Sequence, residues 1–170
     1  HVSEEFGDSV AILEGGSSRV GIESTVVGVH HKSGEYQIEI YRPGFYTASM
    51  LEQILSKEGI KAQVQYAESP VAPGQLKHHY MPKIPLVIVK EHFEWPSQRS
   101  QVEAALKRKF NKPMLWQQPL ESQLASRELY QKMREFDQQG FDVIITFRSP
   151  LHQREEWKGI WNRLEKAATL

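Results

Sequence analysis

A proline-rich stretch in the middle of the chain, residues 67–85, most constrains how this sequence can fold. It has little apolar content and carries four prolines and a glycine: Pro70, Pro73, Gly74, Pro82 and Pro85. Proline lacks the backbone N–H and fixes φ, so the stretch suits neither a helix interior nor a central strand. We therefore predict a proline-stiffened linker between residues 1–66 and 86–170. A chain of 170 residues has room for one ordinary core or two small ones.

The segment after the linker alternates short apolar runs with helical patterns. Its first run, LVIV at 86–89, is uninterrupted, as is typical of a strand buried on both faces. The predicted order is strand 86–89, helix 97–110, strand 114–116, helix 121–138, strand 143–145 and helix 154–168. Such alternation predicts a small parallel α/β sheet with right-handed crossovers. On the last helix the stripe Trp157, Trp161, Leu164 and Ala168 predicts core packing.

The segment before the linker has a different pattern. Apolar runs predict strands at 10–13 and 22–29, and YQIEIYR at 36–42 alternates with period two, so it predicts a third strand paired with the second in a hairpin. Thr47 is the expected N-cap of a helix that ends at Gly59, and a further strand is expected at 62–66.

Composition restricts the classes of function. Lys plus Arg and Asp plus Glu each number 21, so no net field attracts a polyanion, and we read the basic run 107–109 as a solvated face. The absence of cysteine excludes disulfides, thiolate nucleophiles and zinc–thiolate sites. The lack of cysteine is compatible with a reducing cytoplasm, where we expect the protein to be. No apolar run reaches the roughly 20 residues of a membrane-spanning helix, which predicts a soluble protein. The chain begins at His1 with a strand-like pattern close behind, so we expect it to be the later part of something longer.

Two groups of polar residues are candidates for a binding site. Glu23, Ser24 and Thr25 interrupt an otherwise apolar strand, where buried polar side chains need partners. Arg42 ends the next strand, just before Pro43-Gly44, and its guanidinium suits a phosphate or a carboxylate. If the two strands pair, Ser24 and Arg42 share one site. Structural roles for all of these residues stay open on spacing alone.

Two other motifs carry weaker signals. GGSSRVG at 15–21 resembles a phosphate loop, but a β-branched strand follows it instead of a helix N-terminus, which favours a turn between strands. The pairs His30-His31 and His78-His79 suggest metal binding, yet neighbouring residues on an extended chain point apart and no further ligands occur at the usual spacing. We predict no metal site, and no catalytic triad can be assembled.

Three motifs taken in order resemble a known family. GIESTVV (21–27), YRPG (41–44) and APGQLKHHYMP (72–82) resemble the YrdC-type threonylcarbamoyl-AMP synthases in their longer, two-domain form. The resemblance continues through SRELYQKMREFDQQGFDVII (126–145) and WNRLEKAA (161–168), so that it covers nearly the whole chain.

The resemblance implies an α/β fold with three parts. Residues 1–66 would be the C-terminal strands of a YrdC-like catalytic domain, residues 67–85 a lid linker, and residues 86–170 a small Rossmann-like accessory domain. Members of the family are nucleotidyltransferases. They join L-threonine, bicarbonate and Mg2+-bound ATP into threonylcarbamoyl-AMP. Downstream partner proteins use this product to modify tRNA. From the balanced charge and the short apolar runs, we expect neither direct nucleic-acid binding nor a membrane.

The resemblance also implies roles for particular residues. Ser24 and Thr25 would line the pocket for the carbamoyl and phosphate groups, and Arg42 would hold the nucleotide phosphate. His79 and Tyr80 would lie across the pocket mouth as part of a lid that excludes water. No catalytic residue is assigned, because such chemistry needs positioning and charge stabilisation more than a nucleophile.

The sequence departs from the family pattern at several points. Gly28 and Gln75 stand where Asp and Met are frequent, and Glu155-Glu156-Trp157 replaces a glycine-rich turn before the last helix. The basic motif and the Ser-x-Asn segment that the family uses for ATP and threonine, and with them the magnesium site, are absent from these residues. We therefore expect the chain alone to be inactive. The alternatives are a non-catalytic nucleotide- or protein-binding module and an unrelated α/β enzyme.

Overall fold

The computed structural model describes residues 2–16, 18–32, 34–68, 81–90, 93–95 and 97–170. Within these residues, six strands form two sheets of three strands each, and the helices of the second half and the one before the third strand pack against them. The strands are β1 (Val26–Lys32), β2 (Glu35–Arg42), β3 (Ala62–Tyr66), β4 (Leu86–Lys90), β5 (Pro113–Trp116) and β6 (Val143–Arg148). The helices are α1 (Val2–Phe6), α2 (Ala48–Lys57), α3 (Arg99–Leu106), α4 (Ser122–Gln138) and α5 (Lys158–Ala167). No helix in this described part of the chain has the length and apolarity needed to cross a membrane.

The first sheet has the order β1-β2-β3. β1 and β2 form the predicted antiparallel hairpin, and β3 returns parallel to β2 through α2. The helix begins where expected, because the Thr47 side chain accepts a hydrogen bond from the Met50 N–H at 3.3 Å and so satisfies one of the free donors of the first turn.

The second sheet is parallel throughout, with the order β4-β6-β5. Its central strand β6 is buried from Val143 to Thr146, as the apolar run in the sequence predicts. Alternate side chains serve two cores, one on each face of the sheet. Leu86 and Ile144 pack against α4 and α5, whereas Val87 and Ile145 pack against α3 and Phe110. The predicted parallel α/β fold is therefore confirmed.

The stripe formed by α5 and the residues that flank it at each end belongs to the core, as its spacing predicts. Trp157, Trp161 and Leu164 are buried, and Ala168 packs partly buried against the same cluster. Ile22 from the first segment enters this cluster, so the residues before β1 pack against α5. The division of the chain at residues 67–85 stays a prediction, because residues 69–80 lie outside the described residues.

Three local predictions were wrong. Residues 10–13 form no strand, and Leu13 is 96% exposed, because no neighbouring strand covers this apolar run. The strand predicted from residue 22 begins at Val26, so Glu23, Ser24 and Thr25 lie in a loop whose polar groups bond to other segments. The last helix begins at Lys158, after two short 3-10 turns at Pro150–Gln153 and Glu155–Trp157.

A buried carboxylate within α3 predicts a pH dependence of stability. Glu103 is 6% exposed and accepts hydrogen bonds from the Phe110 N–H at 2.9 Å, from Arg99 at 2.7 Å and from Lys109 at 2.9 Å. These bonds, the Phe110 N–H first, lower the pKa of Glu103 from 4.5 to about 2.

We expect Glu103→Gln to unfold at lower urea concentration than the parent chain at neutral pH. Because the folded pKa lies below the unfolded one, the stabilisation by Glu103 is complete above pH 4.5 and is lost as the pH falls towards about 2. The difference in free energy of unfolding between the two proteins should therefore shrink over that range. A difference that is constant from neutral pH down to pH 2 would show that the carboxylate is not linked to folding.

Candidate functional site

Ser24 and Arg42 meet at one end of the first sheet. Val26 pairs with Arg42 but Val27 pairs with Ile40, and this irregularity brings the loop before β1 across the end of β2. The Arg42 Nε donates to the Ser24 carbonyl at 3.2 Å, and Nη2 donates to the Ser24 Oγ at 3.4 Å. The structure thus brings together the two residues that the hairpin predicted as neighbours, although Ser24 lies in a loop instead of a strand.

A second contact joins the same two loops. Thr25 Oγ1 donates to the Tyr46 carbonyl at 2.8 Å. Gly44 lies directly against the backbone of the Ser24 loop, where a Cβ would come closest to the Thr25 nitrogen and would lie 2.6 Å from the Ser24 carbonyl carbon. The loop before β1 and the turn after β2 are therefore packed backbone against backbone, with no room for a side chain between them.

A buried arginine on α5 reaches both loops. Arg163 is 0% exposed, and its Nε lies 2.9 Å from the Glu23 carboxylate. Its guanidinium also donates to the Pro43 carbonyl, and to the carbonyls of Glu23 and Gly159 at 3.3 Å each. A buried guanidinium is stable only with such partners. The Tyr130 hydroxyl on α4 lies 3.0 Å from both oxygens of the same carboxylate.

Sequence reasoning missed Arg163, although one signal was present. Positions 160, 163, 164 and 167 share one helical face, and Ile160, Leu164 and Ala167 are apolar and buried. An arginine in the middle of such a face must either leave the core or find buried partners. Nothing local to the sequence indicates that those partners lie more than 100 residues earlier, at Glu23 and Pro43.

A second carboxylate joins α2 to the segment before α5. Glu155 accepts hydrogen bonds from the Ala48 N–H at 2.9 Å, the Ser49 hydroxyl at 2.6 Å and the Tyr66 hydroxyl at 3.0 Å. Its charge also suits the N-terminus of α2. Burial raises the pKa of Glu155, but the hydrogen bonds outweigh burial and the net shift is downward. The pKa of the Tyr66 phenol is raised, first by burial and then by its bond to Glu155.

The electrostatic field at this end of the molecule is shaped by three cations and a carboxylate. The pKa of Lys166 on α5 is lowered, first by burial and then by the charges of Arg163 and Arg42, while Glu23 opposes the shift. Arg42 on β2 and Lys166 on α5 therefore act on each other across the two segments. A phosphate or carboxylate group is the kind of ligand that guanidinium and ammonium groups bind.

The structure describes only some of the other residues that the sequence suggested for binding. His79 and Tyr80 lie outside the described residues, so their place over the pocket stays a prediction. His30 Nε2 lies 3.3 Å from the Tyr41 hydroxyl and 3.7 Å from the Glu39 carboxylate. Over the described ranges, no three His, Cys, Asp or Glu side chains converge as metal ligands would.

Comparison with known proteins identifies the family. Residues 46–169 match the family model described as threonylcarbamoyl-AMP synthase, C-terminal domain. This chain belongs to that family. The matched residues include Tyr66, Glu155 and Arg163, whereas Ser24 and Arg42 lie before the matched range.

Two curated relatives extend the likeness to almost the entire chain. The chain is 24% identical over 184 residues to the threonylcarbamoyl-AMP synthase of Pyrococcus abyssi, covering 99% of this chain and 52% of the relative. It is 26% identical to the enzyme of the same name from Bacillus subtilis, covering 99% and 51%. The chain thus spans about half the length of the curated relatives it matches.

Solved structures of the family share the fold. The crystal structure of P. abyssi Sua5 complexed with L-threonine superposes with a TM-score of 0.68 at 23% identity, over 99% of this chain and 52% of that one. A variant of the same protein, with an adjacent histidine and tyrosine replaced by alanine, superposes with a TM-score of 0.66 at 21% identity, over 99% of this chain and 51% of that one. At this identity the structures support the fold of the threonylcarbamoyl-AMP synthase C-terminal region.

Proposed function

We propose that this chain is the C-terminal part of a threonylcarbamoyl-AMP synthase. The full-length protein would join L-threonine, bicarbonate and ATP into threonylcarbamoyl-AMP, releasing pyrophosphate and water, and the product would serve tRNA modification by downstream proteins. The observation that carries the proposal is the contact of the Arg42 guanidinium with Ser24 in a chain of this family. The P. abyssi relative has been crystallised with L-threonine, and we propose the same substrate for the full-length protein.

Each residue at the loop junction has a proposed task. The Arg42 guanidinium would hold the nucleotide phosphate, since its planar fork matches phosphate oxygens and its charge offsets theirs. The hydroxyls of Ser24 and Thr25 would line the pocket beside the carbamoyl and phosphate groups. The linker would bring His79 and Tyr80 across the mouth, excluding the water that would hydrolyse an adenylate. Rate enhancement would come from positioning and from a fixed positive field.

Magnesium would reach this reaction bound to ATP. Magnesium prefers oxygen ligands such as carboxylates, and the described residues offer no cluster of three side chains that could hold an ion. We assign no step to residues of this part of the chain through the metal.

Product formation tests the proposal. The full-length protein should convert ATP, L-threonine and bicarbonate into a compound with the mass of threonylcarbamoyl-AMP, and the 170-residue chain should not. Mass spectrometry of the reaction mixture gives the answer. The proposal fails if the full-length protein makes no such product, and its claim about the isolated chain fails if the chain alone makes it.

Arg42→Ala in the full-length protein should lower kcat/KM for ATP about 100-fold, as is typical when one positioned donor to a charged group is removed. The matched control is Arg19→Ala, which removes an exposed arginine from the same segment. We expect the control to leave kcat/KM unchanged. Equal effects of the two substitutions would remove Arg42 from the nucleotide site.

A second candidate function is a non-catalytic binding module built on the parallel sheet. A cavity of about 420 Å³ opens beyond the ends of β5 and β6 and is lined in part by Gln118, Phe147, Ser149 and His152. Parallel α/β sheets bind ligands beyond the carboxyl ends of their strands. Titration of the chain with adenine nucleotides, followed by NMR, distinguishes the candidates. Shifts confined to these residues favour the module.

A further inference from the structure

We propose that Arg163 is a positioning residue of the nucleotide site, so that helix α5 holds the two loops that carry Ser24 and Arg42 in their working arrangement. This inference rests on the proposed function, because it assigns those loops to a substrate pocket. Arg163 itself would touch neither ATP nor threonine. It would act through Glu23, which precedes Ser24, and through Pro43, which follows Arg42.

The first support is the way one side chain joins three segments. The Arg163 Nε binds the Glu23 carboxylate at 2.9 Å, Nη2 donates to the Glu23 carbonyl at 3.3 Å, and Nη1 donates to the Pro43 carbonyl and to Gly159 in its own helix. The guanidinium is planar and rigid, so these bonds fix the distance between the two loops as well as their distance from α5. A lysine could not make them all at once.

The second support is the backbone packing around the same point. A Cβ on Gly159 would lie 2.9 Å from the Gly44 carbonyl oxygen, and a Cβ on Gly44 would lie 2.8 Å from the Glu23 carbonyl oxygen. Helix α5 at Gly159 therefore packs directly against the backbone of Gly44, and Gly44 packs directly against the backbone of the loop before β1. Because such packing transmits displacement, a shift of α5 moves Gly44, and Gly44 moves the Ser24 loop.

The third support comes from helix α4. Tyr130 binds both carboxylate oxygens of Glu23 at 3.0 Å, and Gly21 lies so close to α4 that a Cβ there would be 2.6 Å from the Arg127 Cα. Ile22, between these two positions, is buried in the core that α4 and α5 share. The segment 21–23 is thus anchored on the second sheet's helices, and Ser24 is the next residue along the chain.

The test uses Arg163→Lys and Glu23→Gln, which keep the size of the side chains, with Glu165→Gln as the control. Glu165 lies on an exposed part of α5, and its carboxylate pairs with Arg148 at the end of β6. On the 170-residue chain, we expect the nuclear Overhauser contact between Gly44 and the Thr25 amide to weaken in Arg163→Lys and Glu23→Gln. The resonances of β4–β6 should stay unchanged, and the control should match the parent chain.

In the full-length protein, Arg163→Lys should raise KM for ATP about tenfold while kcat changes less than about threefold, because the loops are displaced but no reacting group is lost. A loss of stability alone would lower the active fraction, and hence kcat, without moving KM. An unchanged contact between Gly44 and Thr25 overturns the proposal, as does a weakened contact with unchanged KM. If the full-length protein makes no threonylcarbamoyl-AMP, the proposed function fails, and the contact still decides whether Arg163 positions the loops.

Discussion

Replacing Gly44 with alanine is expected to reduce the free energy of unfolding by about 1–3 kcal/mol, the usual cost of forcing an extra carbon into close packing. The new Cβ would lie 2.6 Å from the Ser24 carbonyl carbon and 2.8 Å from the Glu23 carbonyl oxygen. These are backbone atoms, so a side-chain rotation cannot relieve the overlap. The loop before β1 must move, and the Arg42–Ser24 contact should open with it.

Urea unfolding of Gly44→Ala and of the parent chain measures this effect. The control is Gly15→Ala, where the added Cβ meets nothing within 4 Å and φ is not in the left-handed region. We expect the control to change stability by less than about 0.5 kcal/mol, as is usual for surface substitutions. If Gly44→Ala and Gly15→Ala had the same free energy of unfolding, the result would contradict the close approach of the two loops.

Replacing Glu23 with alanine is expected to reduce the free energy of unfolding by about 3 kcal/mol, because it leaves the charge of a buried guanidinium without its half-buried carboxylate partner. The charge left behind belongs to Arg163, which is 0% exposed. Its bonds to the carbonyls of Pro43 and Gly159 survive the substitution and limit the loss. The substitution also removes both bonds from Tyr130.

The matched comparison is Glu165→Ala, on the other side of α5. Its side chain is 52% exposed and that of its partner Arg148 is 43% exposed. Exposed ion pairs contribute about 0.2–1 kcal/mol, so the control should lose less than 1 kcal/mol. Denaturant unfolding of both variants gives the two values directly. Equal small losses would mean that the Glu23 carboxylate does not stabilise the buried guanidinium.

The sequence determines the second sheet more fully than the first. Uninterrupted apolar runs at β4 and β6 indicate burial on both faces, and helical patterns between them indicate parallel connections. Thr47 was predicted as an N-cap because its position before an apolar helical pattern is a local signal. These predictions succeed because the physics that decides them acts within a few residues.

The prediction of a strand from residue 22 was wrong because it used the same local pattern, whereas contacts with distant residues decide the structure of this loop. The apolar residues from Val26 onward continue a pattern that begins at Ile22, so periodicity alone extends the strand backward. In the structure Ile22 instead packs with α5, and Glu23 pairs with Arg163. Both contacts join residues more than 100 positions apart, and a single sequence carries no local sign of such pairings.

The candidate site was predicted in part. Pairing of β1 with β2 was enough to place Ser24 near Arg42, and the structure confirms that they lie together. Their roles toward the nucleotide stay predictions, as do those of Thr25, His79 and Tyr80. The contribution of α5 was not predicted. The role of Arg163, a buried arginine in an apolar helix face, can be inferred only when its hydrogen-bond partners are known.

The most direct measurement of the central claim follows the Arg42 side chain while ATP binds to the full-length protein. Titration with ATP and magnesium, observed through the Nε–H resonance of Arg42, should give a saturable shift, because that guanidinium is proposed to take the phosphate beside Ser24. A resonance that stays in place while the same sample forms threonylcarbamoyl-AMP would contradict the account.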